Sequence, residues 1–98
     1  MLKGKTALVT GSTSGIGLGL ALSLARQGAN VMLNGFGDVA GAKAEVAKLG
    51  GKVSYHGADM SKPAEIEAMV RACEAEFGAV DILVNNAGIQ HVANVEDF

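Results

Sequence analysis

The chain alternates short apolar runs with longer segments of helical spacing, and this alternation limits its possible folds more than any other feature. The apolar runs have the length of strands and lie at 6–10, 30–34, 52–56 and 80–85. Helical segments are predicted at 15–27, 39–49 and 62–77. Strands that are apolar on both faces and joined by helices form a parallel sheet with helices on both sides. The order β-α-β-α-β-α-β therefore predicts an α/β fold, the first half of a doubly wound parallel sheet.

Residues at the helix ends support these boundaries. Asp38 and Ser61 are predicted N-caps of the second and third helices, and a glycine follows the end of each helix. The first helix is apolar round most of its circumference, with Ile16, Leu20 and Leu24 on one side. We therefore expect this helix to be buried.

Composition and charge exclude several classes of function. The 98 residues are 49% apolar, which rules out a disordered chain and sets one domain as the upper limit. Eight basic and ten acidic residues without a basic cluster argue against a nucleic-acid partner. No apolar run reaches the ~18 residues that a membrane span needs. The lone Cys73 allows neither an internal disulfide nor a cysteine metal cluster, so we expect a cytoplasmic protein with no metal site.

The turn after the first strand, Thr10-Gly11-Ser12-Thr13-Ser14-Gly15-Ile16-Gly17, combines three glycines with hydroxyl side chains. Gly11 permits a tight turn, Gly15 allows close approach of the backbone to a pyrophosphate, and Gly17 lets the helix lie near the sheet. The helix start offers unpaired N–H groups to an anion, and the hydroxyls of the turn add donors. No Gly-Lys-Ser/Thr follows, which excludes a Walker-type phosphate loop. The turn favours a dinucleotide site, with a tight turn that binds no ligand as the alternative.

Two strings together resemble the short-chain dehydrogenase/reductase family, namely Thr-Gly-x-x-x-Gly-Ile-Gly at 10–17 and Asn-Asn-Ala-Gly at 85–88. Asp59, just past the third strand, matches a third family position. The resemblance covers all 98 residues and implies the N-terminal half of a Rossmann-type sheet with strand order 3-2-1-4. It also implies hydride transfer with a nicotinamide cofactor, and a whole enzyme that is commonly a homotetramer.

The resemblance implies cofactor contacts at individual positions. The pyrophosphate and the adenosine ribose would be held by Gly11, Thr13, Gly15, Ile16 and Gly17. Asp59 would accept a hydrogen bond from the adenine amino group, with Met60 beside the ring; a solvated turn aspartate or a helix cap is the alternative. The nicotinamide ribose would be lined by Asn86, Ala87 and Gly88. Asn85 is expected to tie neighbouring strands through its amide.

Within the family, the strings at 11–19, 33–37 and 85–91 resemble members that interconvert D-3-hydroxybutyrate and acetoacetate. That resemblance implies that Gln90 helps to hold the substrate carboxylate; an ordinary exposed loop glutamine is the alternative. His91 and His56 are expected to have no catalytic role. A reductase for another hydroxy or 3-oxo substrate is the second possibility.

The end of the second strand bears on the choice between NAD and NADP. In NAD-binding sheets an acidic residue that hydrogen-bonds the ribose 2′-hydroxyl often lies there. This chain has Asn34 instead, followed by Gly35-Phe36-Gly37-Asp38. No Lys or Arg occurs at 11–17 or 34–38 to neutralise a 2′-phosphate, so NAD is favoured over NADP. Phe36 is a candidate cover for the adenosine, with a partly buried loop aromatic as the alternative.

The family's proton-transfer residues have no counterpart in this sequence. The resemblance implies a Tyr and a Lys four positions apart, whereas the one tyrosine, Tyr55, is followed four positions later by Asp59. We therefore expect residues 1–98 to be a partial dinucleotide-binding domain that lacks the catalytic part and shows no turnover alone. The open alternatives are a fragment of a dehydrogenase, a stand-alone nucleotide-binding or assembly module, and one piece of an enzyme completed by another chain.

Overall fold

The computed structural model describes residues 2–86 and confirms the predicted alternation of strands and helices. The strands are β1 (Thr6–Val9), β2 (Asn30–Leu33), β3 (Val53–Tyr55) and β4 (Ile82–Val84). The helices are α1 (Gly15–Arg26), α2 (Val39–Ala47) and α3 (Pro63–Phe77). No helix in this part of the chain is long and apolar enough to cross a membrane.

The four strands form one parallel sheet in the order β3-β2-β1-β4, as predicted. Val9 lies opposite both Leu33 and Val84, and Leu33 lies opposite Tyr55. These four residues are the last of their strands, so all four strands end at the same level. The loops that follow the strands therefore start side by side at one edge of the sheet.

Alternate residues of the strands face two separate cores. On one face, α1 and α2 cover the sheet, and the buried strand residues there are Ala7, Val9, Val31 and Leu33. On the other face, α3 packs Met69 and Cys73 against Leu8 and Met32. Both sides of the sheet are thus covered by helices, which explains why the central strands are apolar throughout.

The first helix is less buried than its composition suggests. Its buried residues are Gly17, Ala21 and Ala25, whereas Ile16 is 71% exposed and Leu20 is 36% exposed. The buried residues recur every four positions, so the smallest side chains form the stripe that faces the sheet. The expectation of a buried helix is therefore met only in part: Leu18, Leu22 and Leu24 pack partly buried against the core, whereas Ile16 and Leu20 are exposed.

One predicted helix cap is confirmed and the other is wrong. The carboxylate of Asp38 accepts a hydrogen bond from the backbone N–H of Gly41 at 2.9 Å, which caps α2. The N-cap of α3 is Lys62 and not Ser61. Ser61 instead donates its backbone N–H and its hydroxyl to Oδ1 of Asp59, at 2.9 and 2.7 Å. The serine is therefore already engaged in a turn before the helix begins.

Candidate functional site

The loops at the carboxyl edge of the sheet contain almost all of the buried polar side chains among residues 2–86. These side chains are Thr10, Ser12, Thr13, Asn34 and Asn86, and the other one is Thr6 in β1. A polar group is costly to bury unless it is hydrogen-bonded, so these side chains must pair with neighbouring segments. The loops at the carboxyl edge are thus held together by buried hydrogen bonds. This is the edge of a parallel sheet at which ligands usually bind.

The glycines of the turn after β1 have distinct structural roles. Gly11 and Gly15 both have a φ of +58°, a left-handed conformation that side chains other than glycine rarely adopt. A Cβ atom on Gly17 would lie 2.6 Å from Nδ2 of Asn86 and would also overlap the carbonyl oxygen of Gly11. A Cβ atom on Gly15 would meet nothing within 4 Å. Gly17 therefore permits the close packing of α1 on the turn, while Gly15 leaves the turn open on its outer side.

The start of α1 presents unpaired donors to this open side. Ser14 is the N-cap, but its side chain makes no capping hydrogen bond, and the first turn contains no acidic residue. The first backbone N–H groups of a helix have no partner within the helix, and the helix dipole makes this end positive. An anion such as a pyrophosphate suits these features.

Of the hydroxyls at Ser12, Thr13 and Ser14, the first two serve the fold. Ser12 is fully buried, its hydroxyl donates to the carbonyl oxygen of Val9 at 2.6 Å, and it accepts from the backbone N–H of Asn34 at 2.9 Å. The hydroxyl of Thr13 donates to the carbonyl oxygen of Phe36. Only Ser14 is exposed, so the expectation that all three hydroxyls are donors for a ligand is wrong for Ser12 and Thr13.

Asn34 has a role that sequence reasoning missed. Its side chain is 1% exposed, and Nδ2 donates to the carbonyl oxygens of His56 and Ala58, both at 3.0 Å. Its Oδ1 accepts from the backbone N–H of Gly11 at 3.4 Å. The side chain thus turns into the protein and joins the loops that follow β1, β2 and β3.

Asp59 follows Ala58 at the end of the third of these loops. Oδ1 accepts the two hydrogen bonds from Ser61, and its backbone N–H donates to Oε1 of Glu65 at 2.9 Å. The side-chain and then the backbone hydrogen bond from Ser61 lower the pKa of Asp59, with a smaller contribution from the charge of Lys62. Asp59 is therefore a carboxylate at neutral pH, and Oδ2 makes no hydrogen bond to any described residue.

Two large apolar side chains are exposed beside the turn. Phe36 is 76% exposed, and its backbone is held by the hydroxyl of Thr13, while the hydroxyl of Tyr55 donates to the neighbouring carbonyl of Gly35. Ile16 at the start of α1 is the second exposed apolar residue. Phe36 is therefore not a partly buried loop aromatic. Met60, in contrast, packs against the core on the α3 face.

The two asparagines after β4 hydrogen-bond to the residues that follow β1. Oδ1 of Asn85 accepts from the hydroxyl of Thr10 at 3.3 Å, which links the ends of β4 and β1 as expected. Asn86 is fully buried, and its Nδ2 donates to the carbonyl oxygen of Gly11 at 3.1 Å. The predicted contacts of Ala87, Gly88 and Gln90 lie outside the described residues.

A family model of short chain dehydrogenases matches residues 5–98 of this chain. The chain therefore belongs to the short-chain dehydrogenase family.

Two of the relatives that the chain matches have the same name. The chain is 69% identical, over its full length, to the D-beta-hydroxybutyrate dehydrogenase of Cupriavidus necator and covers 39% of that protein. It is 54% identical over 96% of its length to the enzyme of the same name from Rhizobium meliloti, of which it covers 38%. A crystal structure of a short-chain type dehydrogenase/reductase from Mycobacterium marinum aligns with 84% of this chain and 34% of that one. The TM-score of that alignment is 0.79 at 33% identity.

Proposed function

We propose that this chain is the NAD-binding portion of an oxidoreductase that interconverts D-3-hydroxybutyrate and acetoacetate by hydride transfer. The observation that carries the proposal is the open outer side of the glycine turn, at Gly15, over the unpaired donors of α1. The 69% identity to a D-beta-hydroxybutyrate dehydrogenase supports this particular reaction. The chain spans about two fifths of that relative, so residues 1–98 constitute a partial dinucleotide-binding domain in this proposal.

The pyrophosphate would lie over Gly15, within reach of the backbone N–H groups of Ile16 and Gly17 and of the exposed Ser14 hydroxyl. This placement uses charge complementarity, because the helix start is positive and its first turn has no carboxylate. Gly11 and Thr13 would act through the shape of the turn, since the Thr13 hydroxyl is engaged with Phe36.

The adenosine would lie between the glycine turn and the loop that ends at Asp59. Oδ2 of Asp59 is ionised and unpaired among the described residues, and it suits the adenine amino group as an acceptor. Phe36 and Ile16 offer exposed apolar surface to the ring and the ribose, and burial of such surface favours binding. Met60 would support the ring from the core side.

The lack of cationic side chains around the glycine turn supports NAD over NADP. Neither the turn at 11–17 nor the loop at 34–38 contains a Lys or Arg that could neutralise a 2′-phosphate. The polar residues of this loop do not change that, because Asp38 is an anion that caps α2 and Asn34 is neutral and buried. A phosphate at this edge would therefore be poorly compensated.

The nicotinamide end would lie beside the residues that follow β4. Asn86, Ala87 and Gly88 would line its ribose, and Gln90 would hold the carboxylate of the small-molecule substrate. When bound, the nicotinamide accepts or returns a hydride. No Tyr-x-x-x-Lys pair for proton transfer occurs in the sequence, so we expect no turnover by residues 1–98 alone.

The remaining expectations concern the whole enzyme and its location. We expect a homotetramer, with no nucleic acid and no membrane as partners. The lone, fully buried Cys73 supports a reducing, cytoplasmic compartment.

Calorimetric titration of the chain with NAD and with NADP tests the proposal. We expect NAD to bind and NADP to bind at least about tenfold more weakly, a difference of about 1.4 kcal/mol. Gly15→Ala places a methyl group on the open side of the turn and should weaken NAD binding by about tenfold. Gly50→Ala is the matched control, because Gly50 also has a positive φ and an open surrounding but lies in the loop after α2. A folded chain that binds neither dinucleotide would refute the proposal.

A further inference from the structure

The side chain of Asn34, in the loop after β2, joins that loop to the loops that follow β1 and β3. Its side-chain amide reaches Gly11 in the glycine turn, and His56 and Ala58 after β3. Its backbone is held as well, because its carbonyl oxygen accepts from the N–H of Ser12 at 2.6 Å and its N–H donates to the Ser12 hydroxyl at 2.9 Å. We call this set of hydrogen bonds the Asn34 joint.

The chemistry of the joint requires an amide. Nδ2 donates two hydrogen bonds, one to each carbonyl oxygen after β3, while Oδ1 accepts one from Gly11. A carboxylate of the same size accepts hydrogen bonds but donates none. The substitution Asn34→Asp would therefore set a carboxylate oxygen 3.0 Å from two carbonyl oxygens in a buried site. Such unpaired contacts between acceptors are costly.

The joint connects the two parts of the proposed adenosine site. Gly11 begins the turn that would hold the pyrophosphate, and Ala58 directly precedes Asp59, the proposed acceptor for adenine. A shift of either loop would change the separation between these two contacts. The joint therefore links the two loops that one dinucleotide would have to contact at once.

We propose that Asn34 is a positioning residue that holds the pyrophosphate turn and the Asp59 loop at the separation that the adenosine half of NAD requires. The inference rests on the proposed NAD site. In many dinucleotide-binding sheets an acidic residue at the end of the second strand hydrogen-bonds the ribose 2′-hydroxyl and so favours NAD. In this chain the side chain at that position points into the protein, so we expect Asn34→Asp to weaken NAD binding instead.

The test compares Asn34→Asp with Asn30→Asp by titration with NAD at a temperature where circular dichroism shows each variant folded. Asn30 is the first residue of β2, the strand that Asn34 follows, and its Oδ1 accepts from the N–H of Lys52 at 3.4 Å, so aspartate keeps that bond. We expect Asn34→Asp to weaken NAD binding by about tenfold, and Asn30→Asp to change it by less than about twofold. Equal or tighter binding of NAD by Asn34→Asp would overturn the proposal.

A second measurement separates positioning from loss of folding. In a chimaeric enzyme, residues 1–98 replace the matching segment of the Cupriavidus necator dehydrogenase. Asn34→Asp should raise KM for NAD by about tenfold while kcat and KM for 3-hydroxybutyrate stay within about twofold. A uniform fall in kcat, with KM for NAD unchanged, would contradict a positioning role.

Ser12→Ala keeps the proposal testable if Asn34→Asp does not fold. It removes one hydroxyl from the joint without adding charge, and should weaken NAD binding by about threefold. A folded Ser12→Ala variant with unchanged affinity would then refute the joint's role. Failure of the unsubstituted chain and chimaera to bind NAD would refute the proposed function itself, so the two failures are distinguishable.

Discussion

Two glycines of α1 that are two positions apart are expected to respond in opposite ways to the same substitution. A Cβ atom on Gly17 would lie 2.6 Å from Nδ2 of Asn86 and 2.7 Å from the carbonyl carbon of Gly11. The obstacle at Gly11 is backbone, which cannot rotate away as a side chain can. A Cβ atom on Gly19 would meet nothing within 4 Å. Gly17→Ala and Gly19→Ala therefore form a matched pair within one helix.

The magnitudes follow from helix propensity and from crowding. Replacing a helical glycine by alanine gains about 1 kcal/mol, and this gain applies at both positions. Crowding in a well-packed site costs about 1–3 kcal/mol, and the upper end applies to Gly17 because the neighbour is backbone. We expect Gly17→Ala to lower the free energy of unfolding by about 2 kcal/mol and Gly19→Ala to raise it by about 1 kcal/mol.

Thermal unfolding followed by circular dichroism measures both effects. For a domain of this size, 1 kcal/mol corresponds to about 4–8 °C in Tm. Gly17→Ala should therefore unfold about 10 °C below the unsubstituted chain, and Gly19→Ala about 5 °C above it. Equal Tm values for the two variants would refute the close packing of α1 on the glycine turn.

Three further predictions concern the side chains of Asp59 and Cys73. Asp59→Asn removes the charge of the proposed adenine acceptor and should weaken NAD binding by about three- to tenfold, as measured by calorimetry. Because the hydrogen bonds from Ser61 lower the pKa of Asp59 below its ordinary value of 3.8, the carboxylate's contribution to affinity should stay constant from neutrality down to about pH 5. The carboxylate's contribution should be lost only as the pH falls through the lowered pKa of Asp59. The prediction would be contradicted if the affinity of the unsubstituted chain fell between about pH 7 and about pH 5 while the affinity of Asp59→Asn did not. Burial, followed by the charges of Glu76 and Glu74, raises the pKa of the Cys73 thiol. A thiol reagent should therefore modify Cys73 slowly in the native chain and fully in guanidinium chloride, and rapid modification of the native chain would show that the core on the α3 face is open.

The order of strands and helices was predictable because each element carries its own local signal. The apolar run that ends at Val9 and the glycines that follow each helix mark the boundaries without any tertiary information. The strand order 3-2-1-4 came from the family resemblance, and the parallel pairing of β1 with both β2 and β4 confirms it.

The directions of polar side chains were not predictable from the sequence. A single polar residue after an apolar run has the same pattern whether it points into solvent or into the protein. Asn34 and Ser12 are therefore indistinguishable from surface residues until the three loops are brought together. The prediction that Ser61 caps α3 is wrong for a similar reason, because the backbone N–H and the hydroxyl of Ser61 both donate to the carboxylate of Asp59.

Turnover by the chimaeric enzyme tests the central claim most directly. The chimaera combines residues 1–98 with the remainder of the Cupriavidus necator dehydrogenase, and NADH formation from D-3-hydroxybutyrate is followed by absorbance. The account predicts turnover with NAD, much weaker turnover with NADP, and none from residues 1–98 alone. A folded chimaera that forms no NADH, or one that prefers NADP, would contradict it.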